Sequence, residues 1–333
     1  MKWLELSDDR KQLVLDQASA KLSAPKNALE KDWWVTVALR AIFNTPFAKD
    51  IVFKGGTSLS KSWQLISRFS EDIDLAINRE ALGFGGELTY SQIKKLKRKG
   101  VEFTSTEFRQ AVEQELYRLG IQKGTINIYA KEVPQQRPDT DPQAIFIEYP
   151  TVLGANPYLL PPVKIEMSVR SLVEPSHERM VGALMDEAIP GQDYAGDSFA
   201  VHAIDPKITI LEKVFLLHEE FTKPPDRIRT ERMSRHLHDL EKTMDTEHGK
   251  LAISDQGLYD QLIAHRRYYI RDANVQYDRH NRETLSFLPT TSWVASYRED
   301  YELMKENMFR GEAMDFEKMM ERLSAFERRI KRQ

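Results

Sequence analysis

Arg68-Phe69-Ser70-Glu71-Asp72-Ile73-Asp74-Leu75 is the stretch from which the fold is read. Over 71–77, Ile73, Leu75 and Ile77 alternate with polar positions. That period of two predicts a strand with the three apolar residues on one face and Asp72 and Asp74 on the other. Residues two apart on a strand lie roughly 7 Å apart at Cα. Two carboxylates at that spacing repel, and strand interiors disfavour aspartate. A divalent cation held by both relieves each cost, because Mg²⁺ combines carboxylates with substrate phosphate oxygens. The alternative is a solvent-facing strand edge, where alternating aspartates do no harm.

Upstream, Lys54-Gly55-Gly56-Thr57-Ser58-Leu59-Ser60-Lys61 follows the short apolar strand Ile51-Val52-Phe53. A helix is expected over 57–66, with Leu59 and Trp63 four apart. Gly55 and Gly56 let backbone approach a ligand, and the free N–H groups of a helix start favour phosphate. Thr57 adds a hydroxyl there, and Lys61 lies one turn on along the same face, within reach of phosphate charge. Read alone, the motif is more simply a tight strand-to-helix turn capped by Thr57. Downstream, residues 163–169 alternate again, with Lys164, Glu166 and Ser168 on one face. If that strand pairs beside 71–77, Glu166 joins Asp72 and Asp74 as a third carboxylate that can hold metal and position a triphosphate. A surface Lys–Glu face is the alternative for Glu166.

Around this centre the chain intermixes helix and strand. Helices are expected from Asp8 as cap to about residue 22, over 28–43 and over 106–119, and strands over 125–131 and 144–149. The fold class is therefore α+β, a mixed sheet domain over residues 1–200. After His202 the strand signals stop. Asp205-Pro206 is a helix start, with a carboxylate at the N-cap and proline at the first position. Helices are expected over 207–222, 231–245, 254–271, 292–308 and 314–331, a helical domain over 201–333. The Gly- and Pro-bearing stretch 190–196 reads as the linker.

Composition sets outer bounds. Of 333 residues, 41% are apolar and 30% charged, the balance of an ordinary soluble domain. The sequence contains no apolar run of the roughly 18 residues that mark a transmembrane helix, so no membrane partner is expected. Its first residues do not read as a signal peptide. Cysteine is absent, which excludes disulfides and thiolate metal sites and fits a cytoplasmic location. The net charge of -3 neither demands nor forbids nucleic acid. Three local basic runs stand out: Lys94, Lys95, Lys97, Arg98 and Lys99; Arg227, Arg229, Arg232 and Arg235; and Arg266, Arg267 and Arg271. Each is either a solvated face or a phosphate-binding patch, the third with Tyr268, Tyr269 and Tyr277 nearby for stacking or core.

A glycine turn, a helix, Asp-x-Asp on a strand and an acid on a later strand resemble the nucleotidyltransferase fold. More closely, the sequence resembles the AbiEii/AbiGii toxins of bacterial toxin–antitoxin and abortive-infection systems. The resemblance rests on Phe53-Lys54-Gly55-Gly56-Thr57-Ser58-Leu59, the Arg68–Leu75 stretch quoted above, Leu211-Glu212-Lys213-Val214-Phe215-Leu216-Leu217-His218 and Ser234-Arg235-His236-Leu237-His238-Asp239-Leu240. The resemblance implies a nucleotidyltransferase using an NTP with Mg²⁺ or Mn²⁺. Gly55, Gly56 and Thr57 are then NTP-binding, as is Ser70 beside the metal. Asp72 and Asp74 are metal ligands, with Glu166 where aspartate is commoner in the wider fold. Lys213 contacts nucleotide phosphates and Asp239 is a further catalytic acid. An RNA acceptor, the 3′ end of tRNA, and a neighbouring antitoxin partner also follow from the resemblance.

The helical motifs also have a reading of their own. Ile210, Val214, Leu217 and Phe221 form an apolar stripe, with Lys213 at its flank as either a snorkelling or a cleft-facing amine. Arg232, Arg235, His236 and Asp239 share one helical face, as a surface Arg235–Asp239 pair or as a polar wall on which Arg232 and Arg235 meet phosphate. Two other activities use the same residues. One is phosphotransfer of a γ-phosphate to a protein or small molecule; the other is non-catalytic NTP or RNA binding within a toxin–antitoxin complex.

Overall fold

Among the described residues of the computed structural model (2–154, 156, 158, 159, 162–272 and 274–333), seven strands join in one sheet. They are β1 (Ile51–Lys54), β2 (Asp72–Ile77), β3 (Asn127–Ala130), β4 (Gln143–Glu148), β5 (Val163–Ser168), β6 (Ser176–Val181) and β7 (Phe199–Ile204). Their order across the sheet is β3-β4-β5-β2-β1-β7-β6. The pairs β2/β5 and β1/β7 are parallel and the others antiparallel, so the sheet is mixed, and helices intermixed with its strands make the α+β class that the sequence pattern predicts. β2 lies inside the sheet, and its alternation is the predicted one: Ile73 and Leu75 are buried, Asp72 and Asp74 half-buried.

The chain divides into two compact units, Met1–Ile204 and Asp205–Gln333. In the first, the helix Lys26–Asn44 is buried along almost its whole length, including Glu30, Lys31 and Asp32. Charges survive burial only when paired and hydrogen-bonded. Here Lys31 meets Glu71 at 2.6 Å and Asp32 meets Lys61 at 2.6 Å, while Glu30 accepts from the Val152 amide at 2.8 Å. These pairs tie the helix to the residue just before β2 and to the helix just after β1, the two segments that frame the site.

Several boundaries differ from the sequence reading. Ser7, not Asp8, caps the helix Asp8–Leu22, accepting from the Arg10 amide. The helix after β1 spans Gly55–Lys61, so it begins on the first glycine rather than on Thr57 and ends before Trp63. The basic run 94–99 rides on a helix, Tyr90–Phe103, closed by a Thr89/Gln92 capping box and buried along Ile93, Leu96, Gly100 and Phe103. The stretch 190–196 is a loop inside the first unit, between the helix Leu184–Ala188 and β7, and the chain changes unit at Asp205.

The second unit is helical among its described residues: Pro206–Phe221, Ser234–Thr243, Glu247–Ser254, Gln256–His265, Val294–Met308 and Phe316–Lys331 are its α-helices. Asp205 caps the first, accepting from the Lys207 amide at 2.9 Å with Pro206 in the opening turn, as its sequence predicts. The helix Glu247–Ser254 was not anticipated.

Candidate active site

The register of three strands builds the site. β1 runs antiparallel to β2 with Lys54 opposite Asp74. β5 runs parallel to β2 with Lys164 opposite Asp72 and Glu166 opposite Asp74. The pairing on which Glu166 depended is therefore present, and Asp72, Asp74, Lys164 and Glu166 are all half-buried on one face of adjacent strands. Where β1 ends, Gly55 adopts φ +74°, which side-chain-bearing residues rarely accept. A Cβ there would lie 2.1 Å from Asp74 Oδ2. Glycine is thus required twice over, for the turn and because the Asp74 carboxylate lies against its backbone.

Lys164 supplies the countercharge. Its Nζ lies 2.9 Å from Glu166 Oε2. Burial alone would lower the lysine pKa, but the Glu166 hydrogen bond and the charges of Glu166, Asp72 and Asp74 outweigh it and hold the pKa above the usual value. Sequence reading had placed Lys164 on the Glu166 face without giving it a role; the signal was its spacing two residues from the acid.

The hydroxyls expected at the phosphates do something else. Thr57, fully buried, joins Ser70 Oγ at 2.8 Å and hydrogen-bonds the Asp72 carbonyl. Thr57 and Ser70 therefore buttress the start of β2. Ser60 reaches the Arg68 carbonyl at 3.3 Å, and buried Arg68 donates to the Phe69 carbonyl at 3.0 Å, so the whole approach to Asp72 is pinned. Lys61 also departs from expectation. Its amine is buried against Asp32 at 2.6 Å and the Gly182 carbonyl at 3.0 Å, a structural pair within the first unit.

Two carboxylates on a firm backbone fit Mg²⁺, a hard cation that takes one or two carboxylates and fills its remaining positions with water and phosphate oxygens. Among the described residues no three acidic or histidine side chains converge into a ready cage. Asp72 and Asp74 are accordingly the fitting ligands, and Glu166 is engaged by Lys164.

In the second unit the structure brings Lys213 and Asp239 together, with Nζ 3.0 Å from Oδ2. His236 Nδ1 lies 3.3 Å from the same amine, and His238 Nδ1 lies 3.2 Å from Asp239 Oδ1. Asp239 is wholly buried, so it lies in the core of the second unit and not on a solvated helix face. Arg232 does not share the helical face expected for it. The helix begins at Ser234, and Arg232 precedes it at φ +58°, its amide donating to Asp300 Oδ1 at 2.5 Å. Arg235 is half-buried on the helix proper. Of the other basic runs, Arg229 is paired with Glu220, Arg266 with Glu219 and Arg267 with Asp278. Lys97 is paired with Asp139, whereas Lys94, Lys95 and Arg98 are exposed.

The sequence model of the family described as nucleotidyl transferase AbiEii toxin, type IV toxin–antitoxin system, matches residues 37–322. The chain belongs to the AbiEii nucleotidyltransferase toxin family. AbiEii proteins are NTP-using nucleotidyltransferases that usually work with a divalent metal, and a type IV system pairs the toxin with an antitoxin. No curated protein matches the chain. Among solved structures it is similar to MenT4, a nucleotidyltransferase toxin from Mycobacterium tuberculosis H37Rv, at 16% identity over 97% of each chain with a TM-score of 0.43. No helix among the described residues is long and apolar enough to cross a membrane.

Proposed function

We propose that this AbiEii-family chain transfers a nucleotidyl group from an NTP to RNA, with the 3′ end of tRNA as acceptor. The acceptor's 3′ oxygen attacks the α-phosphorus, the bond from that phosphorus to the bridging oxygen of the β-phosphate breaks, and pyrophosphate leaves as the hydroxyl proton is released. Asp72 and Asp74 are the carboxylates that hold Mg²⁺, which when bound supplies positive charge to the triphosphate. Gly55 and Gly56 bring backbone to the nucleotide. Thr57 and Ser70 position Asp72 through its carbonyl, Lys213 is the phosphate-contacting amine of the second unit, and Asp239, paired with it, is the further catalytic acid. Arg232 and Arg235 are further candidate phosphate contacts. The exposed Lys94, Lys95 and Arg98 offer charge to an RNA backbone.

The observation that carries this reading is the contact of Asp74 with Gly55, where a Cβ would meet the carboxylate. It puts the glycine turn and the Asp-x-Asp strand side by side, which supports reading them as parts of one nucleotide site. Incubation with each α-labelled NTP, Mg²⁺ and tRNA tests it. Label in the tRNA that is lost with EDTA and with Asp72→Ala supports the proposal; label in protein with tRNA unlabelled removes tRNA as acceptor.

A further inference from the structure

Lys164 is a charged side chain on this face to which the proposed reaction gives no task. It stands opposite Asp72 on β5, two residues before Glu166, whose own opposite is Asp74. Its ammonium is 2.9 Å from Glu166 Oε2. The fold does not need this pair to join the strands, since β2 and β5 are in register over five residue pairs. With its side chain 33% exposed, Lys164 is also unlike the buried pairs Lys31–Glu71 and Lys61–Asp32, which lock the surrounding elements. It is a cation opposite Asp72 in the strand register and in contact with Glu166, whose own opposite is Asp74.

We propose that Lys164 is a built-in counter-ion that competes with the divalent cation for the Asp72, Asp74 and Glu166 face, so that bare metal binds weakly and enters together with the triphosphate. The inference rests on the reading of Asp72 and Asp74 as metal ligands. An ammonium among the carboxylates already satisfies part of their charge and repels an incoming cation, so the metal must displace it. A triphosphate changes the balance, because it brings anionic oxygens that both the metal and the displaced ammonium can meet. Lysine suits this task better than arginine would suit a fixed pair: a single mobile point charge on a flexible stem changes partners readily.

Mn²⁺ binding to the full chain without nucleotide, followed by the electron paramagnetic resonance signal of the free ion, reads this directly and needs no turnover. Lys164→Met removes the charge and keeps most of the unbranched stem, whereas Lys164→Arg keeps the charge. The Met variant is expected to bind Mn²⁺ at least about tenfold more tightly than the unaltered chain, equivalent to about 1.4 kcal/mol. The Arg variant stays within about twofold. Circular dichroism melts check that both variants are folded. No gain in the Met variant, or weaker binding, overturns the counter-ion role. Asp72→Asn separates this from a failure of the site itself: Mn²⁺ binding by the Lys164→Met variant that Asp72→Asn leaves untouched overturns the reading of Asp72 as a ligand, and the inference with it. Binding that needs Asp72 but ignores Lys164→Met refutes the counter-ion alone.

Discussion

Replacing Gly55 with alanine puts a methyl group where the Asp74 carboxylate already lies. The backbone contributes first: at φ +74° an L-residue with a Cβ costs about 1–2 kcal/mol. The Cβ then meets Asp74 Oδ2 at 2.1 Å, Cγ at 2.8 Å and Cβ at 3.0 Å. Overpacking of this kind costs a further ~1–3 kcal/mol if the neighbours stay in place. Asp74 is half-buried and can instead rotate away, which relieves the clash and withdraws the carboxylate from the cation. A misplacement of that size lowers transfer by roughly 10²-fold. Gly83 is the control, with φ +86° and nothing within 4 Å of an added Cβ. Urea unfolding and α-label transfer are measured for both variants. Gly83→Ala is expected to lose about 1–2 kcal/mol with transfer intact. Gly55→Ala is expected to lose more stability, more activity or both. In an Asp74→Ala background Oδ2 and Cγ are gone, so the extra destabilisation by Gly55→Ala shrinks, a coupling of order 1–3 kcal/mol. If Gly55→Ala behaves like Gly83→Ala in stability and transfer, and Asp74→Ala does not alter its effect, the contact does not organise the site.

Three further perturbations test the account. Thr57→Val leaves the Asp72 carbonyl and Ser70 without their shared hydroxyl and should cost about 1–3 kcal/mol with reduced transfer, whereas Thr57→Ser should keep both, as urea melts and label transfer will report. Lys213→Met leaves wholly buried Asp239 without its cation and should cost about 3–5 kcal/mol in urea unfolding, while Lys213→Met with Asp239→Leu should recover much of that stability but not transfer. His218 is buried beside the His280 ring, with Arg279 and Glu219 nearby; burial, and then the His280 charge, push its pKa down to about 4. The unfolded chain binds that proton near pH 6.5, so stability should fall as pH drops from about 6.5 to 4, by up to ~3 kcal/mol. His218→Gln should flatten this part of the urea-midpoint profile between those pH values.

Local pattern and long-range pairing differ in what a sequence reveals. The alternation at 71–77 and the glycine turn are local, and both lie where they were expected. The Glu166 strand was legible as a strand, but its place beside β2 depends on register, which no single segment encodes. Lys61 was misread because its partner, Asp32, sits on a helix far earlier in the chain, and a lone sequence gives no hint that the two meet in the core. β6 was missed because Ser176-His177-Glu178-Arg179-Met180-Val181 is an exposed edge with no apolar alternation. The helix Tyr90–Phe103 was there to be read, since Ile93, Leu96, Gly100 and Phe103 keep helical spacing beneath the lysines that drew the eye. In the second unit the 211–218 and 234–240 stretches supply Lys213 and Asp239, but their direct pairing is a long-range contact that neither stretch encodes, and the positive φ at Arg232 breaks the helical face expected for it.

The central claim is nucleotidyl transfer at Asp72 and Asp74. The measurement that tests it most directly uses purified protein, Mg²⁺, total RNA and each α-labelled NTP in turn, beside the Asp72→Ala, Asp74→Ala double variant. Label passing into RNA with the intact acids, and none with the double variant, is the predicted result. RNA that stays unlabelled while γ-labelled NTP marks a protein or small molecule would contradict it and make the enzyme a phosphotransferase.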